Sequence, residues 1–177
     1  METYQTVKHT FDPVWDRDSE ILILGTFPSV KSREQNFYYG HPQNRFWKLI
    51  AAVYEESVPE TIEEKKKLIL RHHLAVWDVI GQCDIIGSSD SSIRSVIPCD
   101  LAGLLKETQI HTVIANGAKA YELYGKYQLP QTGIPAQKLP STSPANAAWS
   151  LERLKEAWGR VLLREGRILD QEAEEYA

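Results

Sequence analysis

GTFPSVKSREQNFYYGHPQNRFW, Gly25 to Trp47, gathers groups that can do chemistry within one short stretch. Phe27, Phe37, Tyr38 and Tyr39 stand close to His41, Asn44 and two serines, Ser29 and Ser32. Aromatic rings offer flat faces on which nucleobases stack. Hydroxyls and exposed backbone N–H groups suit phosphate oxygens. An asparagine carries both a donor and an acceptor, so it can orient a water or read a base edge. Further on, Asp78 ends an apolar run, and STSPAN, Ser141 to Asn146, supplies more hydroxyls and another amide. An enzyme that acts on a base in duplex DNA must extrude that base into a pocket. It then needs a stacking ring, a group for the base edge, a group for water, and hydroxyl-rich loops for phosphates. The inventory matches that list.

The elements around these residues alternate. Ile21–Leu24 reads as a short buried strand ended by Gly25. Leu74–Ile80 reads as a second, stopped by Gly81, Ile110–Ala115 as a third and Gln137–Pro140 as a fourth. Between them lie helical patterns. Asn44 to Val53 puts Phe46, Leu49, Ile50 and Val53 on one face. Thr61 and Glu64 have capping-box spacing, and Asp100 caps a helix to Thr108. Asn116-Gly117 opens the helix GAKAYELYGKY, and Ser150–Leu163 is amphipathic. SSDSSI, Ser88 to Ile93, reads as a polar loop, and Gly25–Trp47 itself as too punctuated for a helix or strand. Short buried strands alternating with helices imply a parallel sheet covered on both faces. The expected fold is a single-domain, three-layer α/β/α unit with a central, mostly parallel four-stranded sheet. In such folds ligands bind beyond the carboxyl ends of the strands. Gly25–Trp47, Asp78–Ile93, Asn116-Gly117 and Ser141–Asn146 all sit at such ends, so four loops converge on one site.

Bulk properties narrow the classes. At 177 residues, one core suffices, and 42% hydrophobic with 25% charged residues is an ordinary globular balance. One domain over 1–164 and an acidic, fraying tail over 165–177 are expected. No apolar run approaches the ~20 residues of a membrane span, and the N-terminal stretch lacks a signal layout; the expected location is the cytoplasm. Cys83 and Cys99 have no CxxC spacing and there is no HExxH, so neither a zinc site nor an iron–sulfur cluster is expected; two reduced thiols are. No metal and no cofactor are expected. The net charge of −4 argues against a nonspecific nucleic-acid coat, not against a local positive face. GxSxG, GxxxxGK[ST] and GxGxxG are all absent.

The first motif carries a resemblance. GTFPS followed by YYGHPQNRFW resembles the first motif of the uracil-DNA glycosylase superfamily. It is most similar to the hypoxanthine-DNA glycosylase family within it. LPSTSPANA, Leu139 to Ala147, looks like the second, DNA-gripping motif. VWDVIGQCDIIGSSDSSI and VIANGAKAYELY also look like family segments, and the likeness spans roughly Ile21 to Leu163. It implies a monofunctional DNA N-glycosylase, a monomer without metal, that flips out a deaminated base, hypoxanthine (deoxyinosine) first, and hydrolyses its N-glycosidic bond to leave an abasic site.

Phe27 departs from the superfamily pattern, because other branches place a water-activating Asp or Asn there and a phenyl ring cannot polarise water. The resemblance moves that work to Asn44. It makes Tyr39 the base-stacking ring, Phe27 and Asp78 further base contacts, and Ser29, Ser32, Ser141, Thr142, Ser143 and Asn146 the DNA contacts. Plainer readings stand beside these. Asn44 can cap the helix that begins near it, and Asp78 can be an ordinary strand-end hydrogen-bonding group. Phe46 and Trp47 read as core, His41 before Pro42 as turn-shaping, Asn116-Gly117 as turn and cap, and His72-His73 and Lys65–Lys67 as solvated. Tyr38 and Tyr39, if extended, point to opposite sides, one to pack and one to stack. Two alternatives stay open: a uracil- or G·T/U-mismatch glycosylase, and a noncatalytic nucleic-acid-binding member of the fold. A small-molecule enzyme of similar layering would lack salt-sensitive DNA affinity.

Overall fold

The structure is a computed structural model that describes residues 3–175, with side chains through 163. Among the described residues seven strands and seven helices follow in chain order: β1 (Gln5–Lys8), β2 (Ile21–Gly25), α1 (Val30–Gln35), α2 (Phe46–Val53), α3 (Ile62–Arg71), β3 (Leu74–Asp78), β4 (Ile80–Ile85), β5 (Arg94–Pro98), α4 (Leu101–Lys106), β6 (Thr112–Asn116), α5 (Ala118–Tyr127), α6 (Leu129–Thr132), β7 (Ala136–Leu139) and α7 (Leu151–Glu175). A 3-10 turn, Asp90–Ser92, interrupts the polar loop before β5.

The expected sheet is present, in the order β3-β2-β6-β7. All three pairings are parallel. Strands β2 and β6 are buried along their whole length, which explains their unbroken apolar runs. Alternate residues serve opposite faces. Ile21, Ile23, Leu74 and Val76 pack against Phe46, Leu49 and Ile50 of α2, Leu68 and Ile69 of α3, and Leu154, Trp158 and Leu162 of α7. Leu22, Leu24, Ala75 and Val113 pack against Leu101 and Leu104 of α4 and Leu123 and Tyr124 of α5. These are the three layers.

Caps form where the sequence placed them. Thr61 accepts the Glu64 N–H, while the Glu64 carboxylate reaches back to the Glu60 N–H rather than to the cap itself. Asp100 accepts the Gly103 N–H.

A second sheet was not foreseen. It is antiparallel, in the order β1-β4-β5. Leu74–Ile80 is therefore not one strand ended by Gly81: β3 stops at Asp78, and β4 starts at Ile80 and runs through Gly81. The Val79 N–H donates to the Gly25 carbonyl and the Ile80 N–H to the Thr26 carbonyl, which turns the chain out of the parallel sheet. Gly25–Trp47 also holds a helix after all. Ser29 accepts the Ser32 N–H to start α1, and Asn36, at φ 53°, ends it in the left-handed region. The backbone of α7 continues helical to Glu175. The fraying expected for the acidic segment concerns side chains outside the described residues.

Candidate active site

The carboxyl ends of the four parallel strands converge as expected. Gly25, Asp78 and Asn116 are the last residues of β2, β3 and β6, and Ser141 follows β7 by two positions. Between them lies a cavity of about 330 Å³, within the range of roughly 300–1,000 Å³ usual for ligand pockets. Phe27, Ser29, Ser32, Tyr39, Asn44, Asp78, Ser141, Thr142 and Ser143 all line it. Of the sequence-derived candidates only Asn146 is absent; it lines an adjoining cavity of about 600 Å³ with Lys119, Lys138 and Trp149.

Asp78 is buried, at 4% exposure. Its Oδ2 lies 2.8 Å from Nε2 of His9. Its Oδ1 meets no hydrogen-bonding partner among the described residues. That oxygen crowds Gly25: a Cβ there would lie 2.6 Å from Asp78 Oδ1 and 3.2 Å from the Tyr39 hydroxyl. Only glycine lets strand β2 pass this close. His9 gave no signal in the sequence, being a single histidine 69 positions away. It comes into place because β1 pairs with β4, and the His9 N–H continues the ladder to the Gly81 carbonyl.

Tyr38 and Tyr39 do part company, though not by an extended backbone. Tyr39 has φ 55°, a left-handed conformation uncommon outside glycine and asparagine. The buried Ser32 hydroxyl accepts the next N–H, that of Gly40, at 2.9 Å and holds the turn. Tyr38 packs edge-on to Phe37 and Phe11, and its hydroxyl donates to the Asp12 carbonyl. Tyr39 stacks on Phe46 with centroids 4.0 Å apart, and its hydroxyl accepts from Asn116 Nδ2. Burial first, then the Asp78 charge, holds both phenols above their ordinary value, so both are neutral donors or acceptors at physiological pH.

Asn44 sits two residues before α2, whose cap position is Arg45. Its Oδ1 accepts the Phe46 N–H at 2.9 Å and the Thr142 hydroxyl at 2.9 Å. Thr142 is fully buried. It accepts from Asn116 Nδ2 and returns its own N–H to Asn116 Oδ1, both at 3.0 Å. A polar chain Asn116–Thr142–Asn44 thus links the loops after β6, β7 and α1. Asn44 precedes the cap position and bonds the first N–H of α2 from outside it: the amide oxygen is committed, and Nδ2 bonds no described group.

Arg45 was not singled out by sequence reasoning, although it stands in the same motif. Its guanidinium donates to the carbonyls of Thr142, Ser143, Asn146 and Trp149, and its backbone N–H donates to Thr142 as well. A fork with five donors suits such a cluster. It holds the 141–149 loop on the start of α2. Within that loop the Ser141 and Ser143 hydroxyls accept the Ser143 and Ala145 N–H groups, and neither hydroxyl donates to a described group. Asn146 Nδ2 donates to the Ser141 carbonyl.

The family model of the uracil DNA glycosylase superfamily matches residues 13–162. The chain belongs to the uracil DNA glycosylase superfamily. A hypoxanthine DNA glycosylase of Methanosarcina acetivorans is 36% identical over 159 residues, covering 88% of this chain and 98% of that protein. Another, of Methanosarcina barkeri, is 31% identical over 162 residues, covering 89% and 99%. A solution NMR structure of a Methanosarcina acetivorans protein, provisionally assigned as a uracil DNA glycosylase, superposes with a TM-score of 0.74 at 35% identity, over 86% of this chain and 94% of that one.

In this superfamily member the first-turn position held by Phe27 is apolar and buried, at 8% exposure, with its ring edge-on to His9. Cys83 and Cys99 are free, buried thiols, and burial raises both above their ordinary value, Cys83 to about 11. Among the described residues no group of three or more His, Cys, Asp or Glu side chains is placed to hold a metal ion, and no helix is long and apolar enough to cross a membrane.

Proposed function

We propose that this chain is a monofunctional DNA glycosylase that flips deoxyinosine out of the duplex and hydrolyses its glycosidic bond, leaving an abasic site. The observation that carries the reading is Asp78: a buried carboxyl in a base-sized cavity, one oxygen held by His9 and the other unbonded, beside the ring of Tyr39. Hypoxanthine presents an N1–H donor to such an acceptor, whereas adenine presents a lone pair at N1. Two hypoxanthine DNA glycosylases that match nearly their whole length support the same assignment.

In this reading the extruded base lies against Tyr39, whose other support is Phe46. Asn44 directs a water at C1′ by donating from Nδ2. The water oxygen bonds C1′ as the C1′–N9 bond breaks. The bond's electron pair leaves on the base, and overall a proton passes from the water to hypoxanthine. The sugar becomes oxocarbenium-like on the way, as in other glycoside cleavages. Ser29, Ser141, Ser143 and Asn146 approach the backbone of the flipped nucleotide, while Thr142 and Ser32 act inside the protein on Asn44 and Gly40. The chain works as a monomer, in the cytoplasm, without metal or cofactor.

A uracil-directed reading has one observation in its favour: uracil N3–H, flanked by carbonyls, also suits Asp78. The test is base release from matched oligonucleotides carrying one hypoxanthine, one uracil or one G·T mismatch. Release from the hypoxanthine strand alone is expected. Release from uracil or the mismatch instead moves the substrate and keeps the reaction; DNA binding without release from any strand leaves a noncatalytic member of the fold.

A further inference from the structure

We infer that His9 is a positioning and specificity-setting residue, donating its Nε2–H to Asp78 so that the carboxyl faces the extruded base as an oriented acceptor. The inference rests on the reading of Asp78 as the group that meets the base edge.

The imidazole is placed rather than merely packed. Its side chain is 4% exposed and Asp78's 6%. Phe11 lies at 4.5 Å, Tyr38 at 5.9 Å and Phe27 at 6.2 Å between ring centroids, so aromatic rings fix its plane. The His9 N–H bonds the Gly81 carbonyl at 2.8 Å, which fixes its backbone. His9, which directly follows β1, thus links the small antiparallel sheet to Asp78. Of the two Asp78 oxygens His9 takes Oδ2, and Gly25 crowds Oδ1 on one side. Without His9 the carboxyl would have no described partner on Oδ2 and would be free to turn away from the base edge.

The other titratable groups facing Asp78 come from several elements. Tyr38 and Tyr39 lie in the loop after α1, Cys99 follows β5, Asp90 belongs to the 3-10 turn, and His41 lines the same cavity. Tyr38, Tyr39 and Cys99 are neutral below pH 9, since burial raises each. Asp90 is raised to about 6, by desolvation of its carboxyl and then by the charge of Asp78; the residue as a whole is exposed, and water screens that effect. Asp90→Asn therefore serves as the background for pH work.

The experiment compares His9→Leu and His9→Gln, each with Asp90→Asn, with the Asp90→Asn parent under single turnover on a hypoxanthine oligonucleotide from pH 5 to 9. Leucine removes the donor; glutamine restores an N–H near the Nε2 position. His9→Leu should lose about ten- to hundredfold in kcat/KM, the range for a hydrogen bond to a charged group. His9→Gln should recover most of that loss. Thermal melts show whether each variant is folded. If folded His9→Leu keeps the parent's rate, or His9→Gln behaves as leucine does, the inference is wrong. If the parent itself releases no hypoxanthine, the proposed function has failed instead.

Discussion

The Thr142 hydroxyl donates to Asn44 Oδ1 at 2.9 Å, joining residues 98 positions apart in the chain. With the Phe46 N–H on the same oxygen, the amide of Asn44 has one orientation available, Nδ2 outward. The second motif thus sets the geometry of the first.

Thr142→Val removes that donor and leaves one N–H of Asn116 Nδ2 without the acceptor it now has in Thr142, the Tyr39 hydroxyl remaining on the other. An unsatisfied buried group costs about 1–3 kcal/mol, several degrees in melting temperature for a chain of this size. Base release should fall about tenfold or more. Thr142→Ser should restore both, and equal rates for valine and serine would show that the hydroxyl does not orient Asn44.

Gly25→Ala places a methyl 2.6 Å from Asp78 Oδ1. The carboxyl, held on its other side by His9, must shift. Hypoxanthine release should drop more than tenfold, with a smaller effect on the affinity for abasic DNA, because the 141–149 loop, proposed to contact the DNA backbone, is untouched. Titration of the variant with an abasic oligonucleotide checks the contrast.

Arg45→Lys exchanges a fork for a point charge. The carbonyls of Ser143, Asn146 and Trp149 lose their shared donor. The 141–149 loop should loosen, weakening DNA binding about tenfold and lowering the melting temperature. Unchanged affinity in a salt-matched binding assay would place the DNA contacts elsewhere.

Stability should fall in alkali. The phenols of Tyr38, Tyr39 and Tyr54 are all raised above their ordinary value near 10, burial being the first cause. A raised folded pKa means that the native state keeps protons the unfolded chain gives up. The stabilisation is whole below pH ~10 and shrinks as pH rises beyond it. Melting temperatures at pH 8, 10 and 11 should show the decline setting in above 10, and Tyr54→Phe should soften it.

Much of this was legible in the chain because buried parallel strands write themselves as apolar runs. β2 and β6 needed no context, and the loops at their ends could be placed by topology alone. The small sheet was hidden for the opposite reason. QTVK is short and mostly polar, and IGQCDI contains a glycine, so neither shows a clean period. His9 was hidden with it, since only the β1–β4 pairing brings it to Asp78. α1 escaped notice because six residues rich in polar side chains have almost no apolar face. Asn44 was read as both cap and site group, and its oxygen does bond the start of α2. Arg45 stood in plain view, but nothing in a sequence says which carbonyls a guanidinium will gather.

In the proposed reaction Asn44 directs the attacking water. The most direct measurement is single-turnover hypoxanthine release by wild type, Asn44→Ala and Asn44→Asp, with melting temperatures alongside. Aspartate keeps an acceptor for Phe46 and Thr142, so it should keep the melting temperature, while alanine loses both hydrogen bonds to Oδ1, each worth about 0.5–1.5 kcal/mol. Release by Asn44→Ala should fall about 10²–10³-fold, the cost of one preorganised hydrogen-bonding group, with abasic-DNA binding retained. If Asn44→Ala is destabilised yet releases hypoxanthine at the wild-type rate, Asn44 is a helix cap and the water is held by another group.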